Sequence, residues 1–123
     1  MKLKIMFSHR QLFQSFYYAA RGLLQVWREE QNFRVQSISA IVALSLAWYF
    51  HITRTELFFL VLVSMIVLVL ELLNTIFERF TDFFSPRMHH IAGTIKDLMA
   101  ASVLLASLGA LIIGMLIFWP YLF

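Results

Sequence analysis

The stretch VLVLELLNTIFERFTD, Val67–Asp82, decides how this chain is read. It begins as a membrane-spanning helix would. It then places Glu71, Asn74, Glu78, Arg79 and Asp82 where lipid is expected to exclude them. Counted at about 100° per residue from Glu71, the polar groups Asn74, Glu78 and Asp82 fall at about −60°, −20° and +20°. One helix face therefore carries all four, graded in depth. A charge near the middle of a bilayer costs roughly 2.5–3.5 kcal/mol on insertion scales. Glu71 is the deepest of the set, and no Lys or Arg of a neighbouring span is placed to neutralise it. Glu78 and Asp82 approach headgroup level, where the cost is lower, and Asp82 also reads as a solvated helix end.

The surrounding composition makes the bilayer the solvent. The 123 residues are 61% hydrophobic and 14% charged, outside the range of soluble domains. A water-soluble fold of this size cannot hide so much apolar surface. There is no cysteine, which excludes a disulfide framework and thiolate metal sites. The net charge is +3, with no basic face on a soluble body of the kind that binds nucleic acid.

Three apolar segments are long enough to span, expected over 35–51, 56–80 and 96–119. HITRT, His51–Thr55, reads as a short turn. FFSPRMHHIAG, Phe83–Gly93, reads as a longer loop broken by Pro86 and Gly93. The first 30 residues lack the continuous apolar core and small-residue cleavage site of a secretory signal. Instead Leu12, Phe13, Phe16, Ala20, Leu23, Leu24 and Trp27 recur at helical spacing on one face. This fits a helix lying in the membrane surface, or one packed on another protein. The expected fold is all-α: three transmembrane helices preceded by an amphipathic surface helix, in one domain.

Lys and Arg concentrate in the N-terminal arm and around the second loop, which places both on the cytoplasmic side. Ser102, Ala106, Ala110 and Gly114 recur every fourth residue and predict close approach of another helix. Three helices are few for enclosing a polar site, so an oligomer with its site near a subunit boundary is expected.

Carboxylates from three segments meet at one membrane face: Glu29 and Glu30 before the first span, Glu71 and Glu78 in the second, Asp97 beside Lys96 at the start of the third. Protonation of Glu71, a metal at Glu78 and cations from the loop are three ways to make such a face tolerable. Oxygen ligands without cysteine suit Mg²⁺, which keeps waters and bridges to phosphate. A deep carboxylate could take a proton from a lipid alcohol, while shallower groups hold a nucleotide. No phosphate loop or protein-kinase signature is present. Two other classes compete: a proton or cation pathway along the polar face, and a non-catalytic subunit whose carboxylates bind a partner's cations. Against the pathway, polar residues cluster near one interface and the third span carries no charge.

E-L-L-N-T-I-F-E-x-x-x-D over Glu71–Asp82, K-D-L-M-A-A-S-V over Lys96–Val103 and E-x-x-F-R over Glu30–Arg34 together resemble the prokaryotic diacylglycerol kinase and undecaprenol kinase family. The resemblance runs from about Phe16 to Leu116. It implies a homotrimeric membrane kinase that uses MgATP to phosphorylate a lipid alcohol at the cytoplasmic face of the bacterial plasma membrane. By motif position it implies Glu71 as general base and Asn74 as a catalytic-site residue. It implies Glu30 and Glu78 as metal and nucleotide carboxylates. It implies Tyr18, Arg87, Met88, His89, Lys96 and Asp97 as nucleotide contacts. Ile76 and Phe77 are bulkier than the Ala-Ile usual in the motif. N-F-R-V-Q at Asn32–Gln36 and S-P at Ser85–Pro86 resemble the undecaprenol kinase pattern, which points modestly to undecaprenol over diacylglycerol.

Overall fold

The computed structural model describes residues 8–123, with the side chains of 85, 86 and 88 outside the described set. Helix α1 spans His9–Glu29 and is capped by Ser8, whose side chain accepts from the Gln11 N–H. None of its residues is buried against the rest of the chain. Phe13 and Phe16 on its apolar face are 73% and 68% exposed. A face this apolar with no partner inside the chain suits a helix lying on a bilayer.

One extended residue, Glu30, separates α1 from α2, Gln31–Phe50. Arg34 closes this joint. Its Nη1 donates to the Trp27 and Arg28 carbonyls, both at 2.9 Å. Those carbonyls lie at the end of α1, where helix geometry leaves acceptors without partners and favours a cation.

Helix α2 stops at His51, whose backbone is left-handed at φ 53° and ψ 51°. Such a cap usually takes glycine. Thr53 then begins the next helix with a reciprocal cap. Its hydroxyl accepts from the Glu56 N–H at 3.2 Å, and Glu56 Oε1 accepts from the Thr53 N–H at 3.0 Å. The expected turn at this joint is therefore a built stop and start. Thr53→Ala should cost about 1 kcal/mol through loss of the cap. Unfolding in detergent would show it, with transfer activity unchanged, because Glu71 lies about 27 Å along the helix.

Helical backbone continues from Arg54 to Leu122, so the joint expected over Phe83–Gly93 forms with helical rather than irregular backbone. Gly93 adopts no positive φ, and a lone glycine inside a helix costs only about 1 kcal/mol. The chain nonetheless reverses. Lys96 pairs with Asp82, and Tyr121 donates to Glu56 Oε1 at 2.6 Å. In a straight helix these partners would stand about 21 and 97 Å apart. Both pairs are centred near His89, so they define an antiparallel hairpin with its apex there. Its arms are α3, Arg54–Phe84, and α4, His89–Leu122.

Together with α2 these are three helices long and apolar enough to cross a membrane. The best-packed region lies at the end opposite the hairpin apex. Ala47, Leu60 and Ile117 form the cluster, with Phe50 against Phe118 and Tyr121. Elsewhere the spans face outward: only 11%, 17% and 11% of their most apolar windows are buried within the chain. That much exposed apolar surface requires lipid or further copies of the chain. Hydroxyls inside the spans are satisfied locally: those of Ser39, Ser45, Ser64, Thr75 and Ser102 each donate to the carbonyl four residues back. Water-free surroundings demand such pairing.

Part of the small-residue ridge on α4 borders open space within the chain. Ala110 and Gly114 line an apolar groove of about 920 Å³ between α2, α3 and α4. A Cβ placed on Gly114 would meet nothing within 4 Å.

Candidate functional site

The polar face of α3 divides by depth. Glu71 is 4% exposed and Thr75 5% exposed, on the same face as the buried Leu60 and Val67. The spacing of these residues along one side of a helix turns Glu71 into the bundle. Thr75 donates to the Glu71 carbonyl at 3.1 Å, so its hydroxyl is already used. The Glu71 carboxylate makes no hydrogen bond among the described residues. Asn74 is half-buried, and Glu78 is exposed one turn further along.

Hairpin register shows what surrounds Glu71. Counting equally along both arms from the Lys96–Asp82 pair sets Glu71 about level with Ser107 on α4. Ser107 accepts from Gln36 Nε2 of α2 at 3.0 Å. Each of the three spans thus contributes a polar group at the same depth. Spacing within one helix cannot show this level, because it depends on where the hairpin turns.

Above this level the carboxylates converge. Glu78 stands about two turns from Glu71 toward the apex, and Glu30 reaches the same rim through Arg79. Arg79 Nη2 donates to Glu29 Oε2 at 2.5 Å and to Glu30 Oε1 at 3.4 Å. This joins the α1–α2 joint to α3. Lys96 donates to Asp82. Asp82, which sequence reasoning leaves between a site residue and a helix end, is therefore the partner of Lys96, across the hairpin. Asp97 is exposed beside Lys96, and Arg87 and His89 are exposed at the apex. The Met88 side chain lies outside the described residues. Tyr18 is 61% exposed on α1, and no described hydrogen bond draws it to the carboxylates.

The arrangement has a buried carboxylate at membrane depth and an exposed cluster of both signs at the rim. A deep base can meet a hydroxyl that stays in lipid, while the rim can meet a charged group that stays in water. The chain matches the family described as prokaryotic diacylglycerol kinase over residues 17–118. The chain belongs to the prokaryotic diacylglycerol kinase family.

Relatives within and around this family bear two names. A diacylglycerol kinase of Synechocystis is 34% identical over 101 residues, covering 81% of this chain and 58% of that protein. An undecaprenol kinase of Bacillus subtilis is 33% identical over 110 residues, covering 89% of each chain. The diacylglycerol kinase of Escherichia coli K12 is 27% identical over 104 residues, covering 85% of each. Membership in the prokaryotic diacylglycerol kinase family makes the chain a membrane lipid kinase, an ATP-dependent phosphotransferase.

Among the described residues no group of three or more His, Asp or Glu is arranged to hold a metal. A nucleotide-bound Mg²⁺ asks for less. It takes one or two protein carboxylates and completes its shell with phosphate and water. Glu78 on α3 and Glu30 at the α1–α2 joint, the latter reached by Arg79 beside Glu78, fit that smaller demand.

Two residues of the cluster carry a role that motif reasoning did not assign. Arg79 entered the sequence reading as one of the polar residues of Val67–Asp82, and Glu29 only beside Glu30. A signal for them was present. An acid that ends α1 stands where the helix dipole disfavours it, and so calls for a cation.

Proposed function

We propose that this chain transfers the γ-phosphate of ATP to the hydroxyl of a membrane lipid alcohol at the cytoplasmic face. In this reading Glu71 is the general base and Asn74 stands beside it in the catalytic site. Glu71 takes the proton of the lipid hydroxyl as its oxygen attacks the γ-phosphorus. The bond from that phosphorus to the bridging oxygen breaks, and ADP leaves. Glu30 and Glu78 would hold Mg²⁺ on the nucleotide, where the ion supplies positive charge against the phosphate oxygens. Lys96 adds a cation at the rim, with Asp97, Arg87, Met88, His89 and Tyr18 assigned to nucleotide contacts.

The observation that carries this reading is the burial of Glu71, 4% exposed, about two turns below the exposed Glu78, with Arg79 drawing Glu30 to the same rim. A proton pathway would need polar steps through the opposite half of the bundle. The described packing there is the cluster of Ala47, Leu60 and Ile117.

The functional unit in this reading is a homotrimer. Support comes from the outward-facing apolar spans and from the open groove along Ala110 and Gly114, which a neighbouring copy could close. Undecaprenol is the acceptor favoured here, on Asn32–Gln36 and Ser85–Pro86, with diacylglycerol as the alternative. Purified protein with labelled ATP, offered both lipids side by side, tests this. Label is expected in undecaprenol phosphate at a higher kcat/KM than in phosphatidic acid. The reverse order would transfer the assignment to diacylglycerol, and label in neither would overturn the kinase reading.

A further inference from the structure

Glu30 is unusual among the site carboxylates in standing on no helix. Its backbone is extended, φ −114° and ψ 111°, at the joint of α1 and α2. Helix geometry aims Glu71 and Glu78, but nothing in the local backbone aims Glu30. Its neighbour Glu29 ends α1, where exposed carbonyls make a negative charge unfavourable. Both are reached by the same guanidinium, that of Arg79 on α3. The Glu29 contact is the closer of the two. Arg79 is thus anchored mainly on Glu29, and it touches Glu30 through Oε1 alone. The other Glu30 oxygen makes no described hydrogen bond.

We propose that Arg79 is a positioning residue for the kinase site. Anchored by Glu29, it clamps the α1–α2 joint to α3 and holds Glu30 toward Glu71 and Glu78. The clamp also cancels charge where carboxylates from two elements crowd together, so that Glu30 stays in place before nucleotide arrives. This rests on the reading of Glu30 as a carboxylate of the nucleotide-bound metal. Arg79 itself touches no reacting atom.

The test is a Mg²⁺ and ATP titration of transfer by Arg79→Met, Arg79→Lys, Glu29→Gln, the Arg79→Met/Glu29→Gln double variant and Glu30→Gln. Arg79→Met and Glu29→Gln should each raise the half-saturating Mg²⁺ and the KM for MgATP about three- to fivefold, the scale of a half-exposed ion pair. The kcat at saturation should hold. Arg79→Lys should recover part of the shift, and the double variant should be no worse than either single one. Arg79→Lys and Glu29→Gln carry the test if Arg79→Met does not fold.

If Glu30→Gln alters the Mg²⁺ titration while Arg79→Met and Glu29→Gln titrate as the parent does, the clamp is wrong and the metal role of Glu30 stands. A normal Mg²⁺ titration in Glu30→Gln removes the metal reading, and the clamp with it. A loss of kcat in Arg79→Met with Glu29→Gln unaffected would make Arg79 a phosphate contact and overturn the positioning role.

Discussion

Replacing Glu71 by Gln should lower kcat for lipid phosphorylation by about 10²–10⁴-fold, the usual contribution of a positioned general base. The substitution keeps the shape of the side chain and removes its ability to take a proton. The fold should survive. The Glu71 carboxylate makes no described hydrogen bond or ion pair that glutamine would break, and the Thr75 bond goes to the main chain. A neutral amide is also easier to bury than a carboxylate. The measurement is single-turnover transfer from labelled ATP, with unfolding in detergent as the control. Full activity in Glu71→Gln would remove the base from the mechanism. Binding of ATP should change little, because Glu71 lies about 11 Å of helix rise below Glu78.

Glu78→Ala should act on the other substrate. It removes an exposed carboxylate from the rim and leaves the buried layer around Glu71 untouched. The expected loss is about a hundredfold or more in kcat/KM for MgATP, the scale of several kcal/mol that a well-held metal contributes. The KM for the lipid should stay within about twofold, since the acceptor meets the deeper part of the face. Titration of Mg²⁺ at fixed ATP separates the two effects, and an unchanged Mg²⁺ dependence would remove Glu78 from the metal site.

Much of this site was legible before any coordinates. Glu71, Asn74 and Glu78 belong to one helix, and helix periodicity alone puts them on one face. Composition alone demands a bilayer, because apolar surface of this extent has nowhere else to go. The capped turn from His51 to Thr53 was legible as a joint, although its left-handed His51 was not: local propensity favours glycine there.

Pro86 and Gly93, breakers by propensity, marked Phe83–Gly93 as the place where the chain turns back, and the reversal near His89 lies inside it. Only its helical backbone was not legible. The small residues of α4 were read as a surface for close approach of another helix, and within the chain Ala110 and Gly114 border an open groove. Small side chains permit close approach without compelling it.

What the sequence by itself determined is therefore whatever depends on neighbours along the chain: three spans, an amphipathic α1, one polar face with its gradient of depth. Only the tertiary structure decided what depends on where the chain turns back. The reversal near His89 pairs Asp82 with Lys96 and sets Ser107 level with Glu71. The joint at Glu30 brings Arg79 to Glu29 across about fifty positions of sequence. Periodicity carries the direction of a side chain within its own helix. It carries no information about the height at which a second helix passes, and that height is what assembles the carboxylates into a site.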